Sequence, residues 1–295
     1  MRPRLLLPTL MSCLLCGQVD AQQMTRELCE NGASALAKTL QIAELGHAPE
    51  QSVDARGWCV LKGSAVRAAF SELRWRAEAV ETAIDLGVPP AKFQVAVSGI
   101  DLVELFDLSI APGTRVGPGK LDATLAHDPE LRQWRIDGFR AEIGDLGTIT
   151  GSARAGNVDF SNRNTMLLSL GSARLHDVNV RLENRGLFSR VLLPTLKINT
   201  GQLRGYVNAL AAVLPRETMD RQSWLAVESL LNAMPSGHGD LVVIATSEYG
   251  LGVPQVAMGI TKLEETPAKG EQDLAPALAI LLDGVDIDVT WEPRQ

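Results

Sequence analysis

The segments of this chain that look like β-strands alternate between apolar and polar residues. In one of them Leu73, Trp75 and Ala77 are separated by Arg74 and Arg76. Successive side chains of a strand point to opposite faces, so this alternation gives a sheet one apolar and one solvated face. Strands of parallel sheets are apolar throughout, because helices cover both faces. The alternation therefore predicts an antiparallel sheet.

The same period of two recurs along the chain, and a turn signal joins two of the segments. The later apolar positions are Phe93, Val95 and Val97, then Leu121, Ala123 and Leu125, and finally Val285, Ile287, Val289 and Trp291. Residues 127–130, His-Asp-Pro-Glu, place proline where a β-turn favours it. They predict a hairpin between the strand at 121–125 and a strand that includes Trp134 and Ile136.

Segments with helical periodicity lie between the strands. They are residues 24–45, 164–170, 202–214, 221–234 and 277–282, with Thr200 as the predicted N-cap of the third. In the second half of the chain a helix precedes a strand three times, which is a weak repeat of pattern. Together these features predict an α+β fold, in which a large curved antiparallel sheet carries amphipathic helices on one face.

A secretory leader is expected at the start of the chain. Arg2 and Arg4 precede an apolar run from Leu5 to Cys16, and residues 19–21, Val-Asp-Ala, fit the small-x-small pattern of signal peptidase. Residues 1–21 are therefore predicted to be a signal peptide that is cleaved after Ala21, which places the protein in the periplasm.

Two alternatives to cleavage are open. Residues 10–13, Leu-Met-Ser-Cys, roughly fit a lipobox, which would leave a lipoprotein anchored at Cys13. A retained membrane anchor is less compatible with the leader, because Pro8 interrupts an apolar run shorter than the roughly 20 residues that span a bilayer. No later apolar run is long enough to predict a transmembrane span.

The mature chain, residues 22–295, is expected to be a single α+β domain. The loop at residues 111–119 is an alternative boundary, because it contains two Pro-Gly pairs. The strands on its two sides have the same alternation, so we expect one continuous sheet. Removal of two arginines and one aspartate with the leader changes the net charge from −7 to −8. Such an acidic chain is not expected to bind nucleic acid.

Two cysteines remain after cleavage, and we expect them to form a disulfide. Cys29 and Cys59 would be in an oxidising compartment, where a pair of cysteines is normally bonded. The loop that they close corresponds to roughly 3 to 4 kcal/mol of stability in the chain-entropy model. The alternative is two separate buried thiols.

No catalytic, cofactor or metal-binding pattern is predicted. There is no H-E-x-x-H or G-x-S-x-G motif, and His47, His127, His176 and His238 are scattered. Residues 117–120, Gly-Pro-Gly-Lys, lack the glycine and the hydroxyl residue of a phosphate loop. The carboxylates Asp283, Asp286 and Asp288 are interpreted as solvated positions around a strand and not as a calcium site.

One dense apolar segment is a candidate ligand site. Leu187, Phe188, Val191 and Leu192 follow directly after a predicted strand. They are interpreted either as a helix that lines or plugs an apolar groove or as ordinary core.

Two segments carry a resemblance to known proteins. They are residues 121–137, LDATLAHDPELRQWRID, and residues 174–188, RLHDVNVRLENRGLF. Their repetitive strand pattern resembles exported β-rich proteobacterial proteins of unknown function and, more distantly, the AsmA-like envelope proteins. The resemblance covers residues 120–292 and implies lipid handling in the cell envelope, without assigning any functional residue.

The expected function is therefore a non-enzymatic periplasmic protein that binds a lipid or another apolar envelope ligand in a groove between the sheet and the helices. An alternative is a structural or interaction module that binds another envelope protein. A third hypothesis is an unrecognised hydrolase, which would need a nucleophile and a base in contact. The oligomeric state and the identity of any ligand stay open.

Overall fold

A ten-stranded antiparallel sheet forms the centre of the protein. The computed structural model describes residues 24–40, 50–62, 71–101, 108–214, 217–265 and 275–294. The leader with its predicted cleavage site at Ala21, the alternative lipidation site Cys13, and His47 all lie outside these residues.

The strands follow one another in the sheet in the order of the chain. They are β1 Glu50–Val53, β2 Cys59–Lys62, β3 Glu72–Ala77, β4 Lys92–Ile100, β5 Gly119–Asp128, β6 Gln133–Ile143, β7 Gly147–Gly156, β8 Arg174–Asn184, β9 Gly239–Gly252 and β10 Asp286–Pro293. Every neighbouring pair is antiparallel, so the sheet is a meander whose edges are β1 and β10. This confirms the predicted antiparallel sheet. The 111–119 loop connects β4 and β5, which pair directly with each other.

Helices are inserted into the connections between strands. They are α1 Arg26–Leu40, α2 Val80–Leu86, α3 Arg163–Leu170, α4 Leu193–Leu196, α5 Thr200–Val213, α6 Arg221–Ala233, α7 Val253–Glu265 and α8 Ala275–Leu281, with a π-helical turn at Phe188–Leu192 before α4. The α+β fold class is therefore as expected. Helix α7 was not predicted, because its apolar residues directly continue the apolar pattern of β9.

Side-chain caps explain where several helices begin. The Asn162 side chain accepts hydrogen bonds from two backbone N–H groups of α3, and Asp220 accepts one from Ser223 of α6. At α5 the cap is Asn199 and not the predicted Thr200, because Asn199 and Gln202 each accept the other's backbone N–H at 2.9 Å. This reciprocal pair is a capping box. The sequence pattern had placed the cap one residue too far along the chain.

The strand register aligns the apolar residues in rows across the sheet. The first row is Leu61, Leu73, Val97, Leu121, Ala141, Ile149, Leu182, Leu241 and Trp291; the second is Cys59, Trp75, Val95, Ala123, Phe139, Gly151, Val180, Val243 and Val289; the third is Ala77, Phe93, Leu125, Ile136, Ala153, Val178, Ala245 and Ile287. We call these three rows the apolar face. The intervening residues form the opposite, mostly polar face, as the alternation requires.

Irregular pairing bends the sheet. One register shift lies between β5 and β6, and a larger one lies between β8 and β9, where the pairing moves from Leu175–Leu251 to Asp177–Thr246. Four residues of β9, numbers 247–250, thus lie opposite His176 alone. Bulges of this kind bend a strand and increase its twist, which agrees with the predicted curved sheet.

The two lateral ends of the apolar face are covered. At β1 to β4, helices α1 and α2 enclose a cluster that includes Leu61, Trp75 and Val80. At β10, Leu230 of α6 packs on Trp291. The outer edge of β10 is also protected, because the Ile287 N–H donates to Thr218 O at 2.7 Å.

The predicted disulfide between Cys29 and Cys59 is present. Its Cα atoms are 5.3 Å apart, and both side chains are fully buried. The bond connects α1 to β2, and it is thus the covalent part of the N-terminal cluster.

Candidate functional site

In the part of the chain that the structure describes, the centre of the apolar face lacks the cover that its two ends have. At the ends, Cys59, Leu61, Trp75, Val289 and Trp291 are buried. In the described strands β4 to β9, by contrast, every side chain of the three rows is partly exposed to solvent. Phe93, Ile149, Leu182 and Leu241 of these rows pack against buried clusters. The central trough, as we call the rest of this surface, consists of Val95, Val97, Leu121, Ala123, Leu125, Ile136, Phe139, Ala141, Gly151, Ala153, Val178, Val180, Val243 and Ala245.

Small residues line much of the middle of the trough. Ala123, Ala141, Gly151 and Ala153 occupy adjacent positions in β5, β6 and β7. A Cβ at Gly151 would lie 2.6 Å from the backbone oxygen of Asn179, so only glycine fits between these two strands. Phe139, which pairs with Ala123 on one side and Gly151 on the other, and the larger side chains of the neighbouring strands therefore stand above these small ones.

Packed clusters close the trough on three sides. Along β3 and β4 the wall is the N-terminal cluster beneath α1 and α2. At the end of the sheet where β6 turns into β7, Leu146, Leu187 and Val191 form a buried cluster. On the side of β10 the wall is made by Phe188 and Leu230. The fourth side lies toward the β5–β6 turn and α3.

The residues of the predicted groove are thereby located. Leu187, Phe188 and Val191 are buried in these clusters, whereas Leu192 is 40% exposed. Leu187 and Val191 close the end of the trough at the β6–β7 turn, and Phe188 belongs to the wall on the side of β10. The trough itself is built by strand residues that sequence reasoning did not assign to a site. The sequence feature that could have indicated them is the high alanine and glycine content of β5 to β7. It can be interpreted as one surface only when the strand register is known.

A cross-strand row with a polar member lies at the unwalled side of the trough. It consists of His127, Trp134, Ala155 and Leu175 on β5 to β8. The His127 ring packs at a tilt against Phe160 with 4.5 Å between ring centroids, and its Nε2 lies 3.0 Å from Val158 O. His127 is thus held in place beside the trough and is not a freely solvated side chain.

The opposite face of the sheet is polar and largely paired in charge. Arg154 and Asp177 approach to 2.5 Å, and Arg294 contacts both Glu183 and Asp240. Hydrogen bonds from the side chains of Arg185 and Arg294 lower the pKa of Glu183. The charged side chains of this face therefore contact mainly solvent and one another. The apolar surface that is left partly exposed is the trough.

The described residues offer few side-chain groups suited to catalysis or to metal binding. They contain no group of three His, Cys, Asp or Glu side chains that could hold a metal ion. Asp286 and Asp288 are exposed on the polar face of β10. In a depression of about 280 Å³ beside α3, the Ser169 hydroxyl donates to the backbone oxygen of Met166 at 2.9 Å and lies against Asp159 through backbone atoms. The arrangement does not pair this hydroxyl with a general base.

Comparisons with known proteins add no assignment. No family model, curated protein or solved structure matches this chain. Among the described helices, none is long and apolar enough to cross a membrane. The candidate site therefore rests on its geometry.

Proposed function

We propose that this protein is a non-enzymatic periplasmic protein that holds a lipid or another apolar envelope ligand against the central trough. The observation that carries the proposal is the partial exposure of the whole central apolar face. Six strands at about 4.8 Å spacing make it about 24 Å wide, and three rows make it about 13 Å long. Soluble monomers rarely expose a continuous apolar surface of this kind unless it binds something.

The chemistry of the trough selects the apolar part of a ligand. Its residues are aliphatic or small, with Phe139 as the one aromatic ring among the trough residues named above. Covering such a surface with an acyl chain removes apolar area from water at about 25 cal/mol per Å². The trough itself offers no charged partner to a headgroup, so a bound lipid would keep its headgroup outside.

The location of the protein is part of the proposal. A cleavable leader ending at Ala21, or lipidation at Cys13, would deliver the chain to the envelope. The Cys29–Cys59 disulfide is the kind of bond that persists in an oxidising compartment. The resemblance of the strand pattern to AsmA-like envelope proteins belongs to the same proposal.

The first experiment asks what the protein carries. The chain is purified from the periplasm of its own source, and native mass spectrometry and lipid extraction are performed. We expect a co-purifying lipid or other apolar molecule. The same intact mass identifies the mature N-terminus and so separates cleavage after Ala21 from lipidation at Cys13.

A matched pair of variants then locates the ligand. Val180→Lys places a charge in the trough, whereas Asn179→Lys places it on the polar face of the same strand. Titration with the apolar fluorophore N-phenyl-1-naphthylamine should show binding to the wild type and to Asn179→Lys, with a clear loss in Val180→Lys. The nearly isosteric Val180→Thr provides a second, milder variant if Val180→Lys unfolds. Absence of any co-purifying ligand, or equal effects of the two lysines, would refute the proposal.

A further inference from the structure

A depression lies on the polar face of the sheet, on strands that carry the trough on their other face. Its volume is about 340 Å³, which is at the lower end of the range for small-molecule sites, about 300 to 1,000 Å³. Most of its lining residues belong to two cross-strand rows of β4 to β6, and one directly precedes β2. We call it the polar depression, and its lining includes Trp58, Gln94, Asp122, Thr124, Gly138 and Arg140.

Gly138 lines the polar depression at a position where the fold itself does not require glycine. A Cβ there would meet no atom within 4 Å, and its φ lies outside the left-handed region. Gly151 differs, because a Cβ there would overlap the backbone of Asn179. Glycine inside a strand is destabilising relative to alanine, and it often marks the close approach of a ligand. No contact among the described residues explains Gly138, whereas a ligand above it would.

A β-bulge at the same position shapes the depression. The pairing of β6 with β5 shifts between Gly138 and Ile136, and its pairing with β7 shifts between Ile136 and Phe139. Bulges of this kind are frequent next to functional sites, because they redirect a side chain and bend the strand. The bulge and the glycine thus coincide in the depression.

The indole ring of Trp58 lines one side of the polar depression, and its neighbours hold it in place. The ring is half-buried, and the Arg76 guanidinium lies 4.8 Å from its centroid. Arg76 in turn donates to the side-chain oxygen of Gln94. The backbone N–H of Trp58 donates to the Asp54 carboxylate at 3.0 Å. The aromatic surface is therefore in position before a ligand binds.

The polar side chains of the depression retain both donors and acceptors for a ligand. Asp122 is exposed, and in the part of the chain that the structure describes it takes part in no ion pair. The Thr124 hydroxyl accepts from the Gln94 amide at 3.3 Å, so its own proton is available. Arg140 contacts Glu142 at 3.1 Å through Nε and one Nη group, which leaves its other Nη group to a ligand.

We propose that the polar depression binds a saccharide. A sugar hydroxyl both donates and accepts hydrogen bonds, which suits a mixture of a carboxylate, a hydroxyl and a guanidinium. The C–H groups of a sugar ring pack on the negative face of an indole ring. Charges of both signs occur here, Asp122 and Glu142 beside Arg76 and Arg140, so the depression does not select a polyanion. It also has too few apolar side chains to hold an acyl chain.

The test is isothermal titration calorimetry of the purified mature protein with two uncharged probes, N-acetylchitotetraose and maltotetraose. We expect saturable binding of at least one probe, with a change in tryptophan fluorescence that is lost in Trp58→Phe. Gly138→Leu should lower the affinity roughly tenfold or more, because its side chain fills the space that the sugar would occupy. Asp122→Asn should lower it roughly two- to tenfold, because it weakens one charge-assisted hydrogen bond.

Each variant has a matched control on the same face of the sheet. Asn179→Leu places the same side chain on β8, two strands away from Gly138, and Asp288→Asn removes an exposed carboxylate from β10. Both should bind the probe as the wild type does. Thermal unfolding of Gly138→Leu should match that of the wild type, because the space above Gly138 is empty. Gly138→Ala, with a smaller expected loss of affinity, replaces it if the leucine variant unfolds.

The proposal fails if neither probe gives saturable binding, or if Gly138→Leu and Asn179→Leu weaken binding equally. Binding that is unchanged in Gly138→Leu would place the saccharide elsewhere and would contradict the proposal as well. Val180→Lys, which lies on the trough side, should bind the probe as the wild type does. The outcome for the polar depression is therefore separate from the outcome for the trough as an apolar-ligand site.

Discussion

The N-terminal corner and the central trough belong to the same sheet and share the same alternation of apolar and polar residues. Their apolar residues nevertheless differ in exposure to solvent. In the second row Trp75 is 2% exposed, while Ala123 and Phe139, two and three strands further along, are partly exposed. The difference is the cover. At the corner α1 lies on the sheet, tied to β2 by the disulfide. The alternation thus predicts which face of a sheet is apolar, but it does not predict whether other elements cover that face.

Close packing accounts for the buried state of the corner. Gly32 of α1 lies directly against Trp75, because a Cβ at this glycine would overlap the indole ring. On its other side Trp75 stacks with Phe93 at 6.2 Å between ring centroids. The tryptophan is therefore held between a helix and a strand, whereas the trough residues are partly exposed to solvent.

The largest contrast is expected from truncating one aromatic ring in each region. Trp75→Ala should lower the free energy of unfolding by about 3 to 5 kcal/mol, as for aromatic residues in packed cores. Phe139→Ala in the trough should cost roughly half of this or less, because the ring is already partly in water. Urea denaturation of both variants measures the difference. Equal losses would mean that the trough is as well packed as the corner.

The disulfide should contribute almost as much as Trp75. It closes a separation of 30 residues, so the double variant Cys29→Ala and Cys59→Ala should lose about 3 to 4 kcal/mol in the chain-entropy model. Reduction of the wild type with dithiothreitol should shift its urea midpoint in the same direction. Binding of an apolar probe to the trough should persist under conditions where the reduced protein is folded, since the bond lies in the other region.

A smaller effect is expected where α1 meets the sheet. Gly32→Ala forces a methyl group against Trp75 and should cost about 1 to 3 kcal/mol. Gly138 is the matched control, because a Cβ there would meet no atom within 4 Å. Gly138→Ala should therefore be nearly neutral in thermal unfolding. If both substitutions are neutral, α1 is not packed tightly enough to explain the buried corner.

The sequence predicted those features that depend on local pattern. The alternating strands, the β5–β6 hairpin, the helix at 221–234 and the pairing of Cys29 with Cys59 are all present, although the hairpin turn lies at residues 129–132 and not at 127–130, because His127 and Asp128 still pair within β5. What it did not predict depends on long-range geometry. The trough exists because Ala123, Ala141 and Gly151 become neighbours through register, and the exposure of Leu168 depends on where α3 lies relative to the sheet.

The mildest test concerns the β10 end of the sheet, which α6 covers. Hydrogen bonds from the Ser223 backbone and side chain to the Asp220 carboxylate lower its pKa from the usual 3.8. Ser223 in turn accepts from the Val289 N–H of β10 at 3.0 Å. The carboxylate therefore stabilises the fold above pH 3.8, and this contribution is lost as the pH falls through the lower folded pKa.

Urea midpoints measured between about pH 2 and pH 5 should accordingly fall less steeply with acidification in Asp220→Asn than in the wild type. Asparagine keeps the cap without the titration, because its side-chain oxygen accepts the same N–H. Asp286→Asn, at an exposed position of β10, controls for the removal of one carboxylate from this region. If the two variants show the same pH profile, the Asp220 cap does not couple α6 to the strand it covers, and the packing of Leu230 on Trp291 is what keeps this end of the apolar face closed.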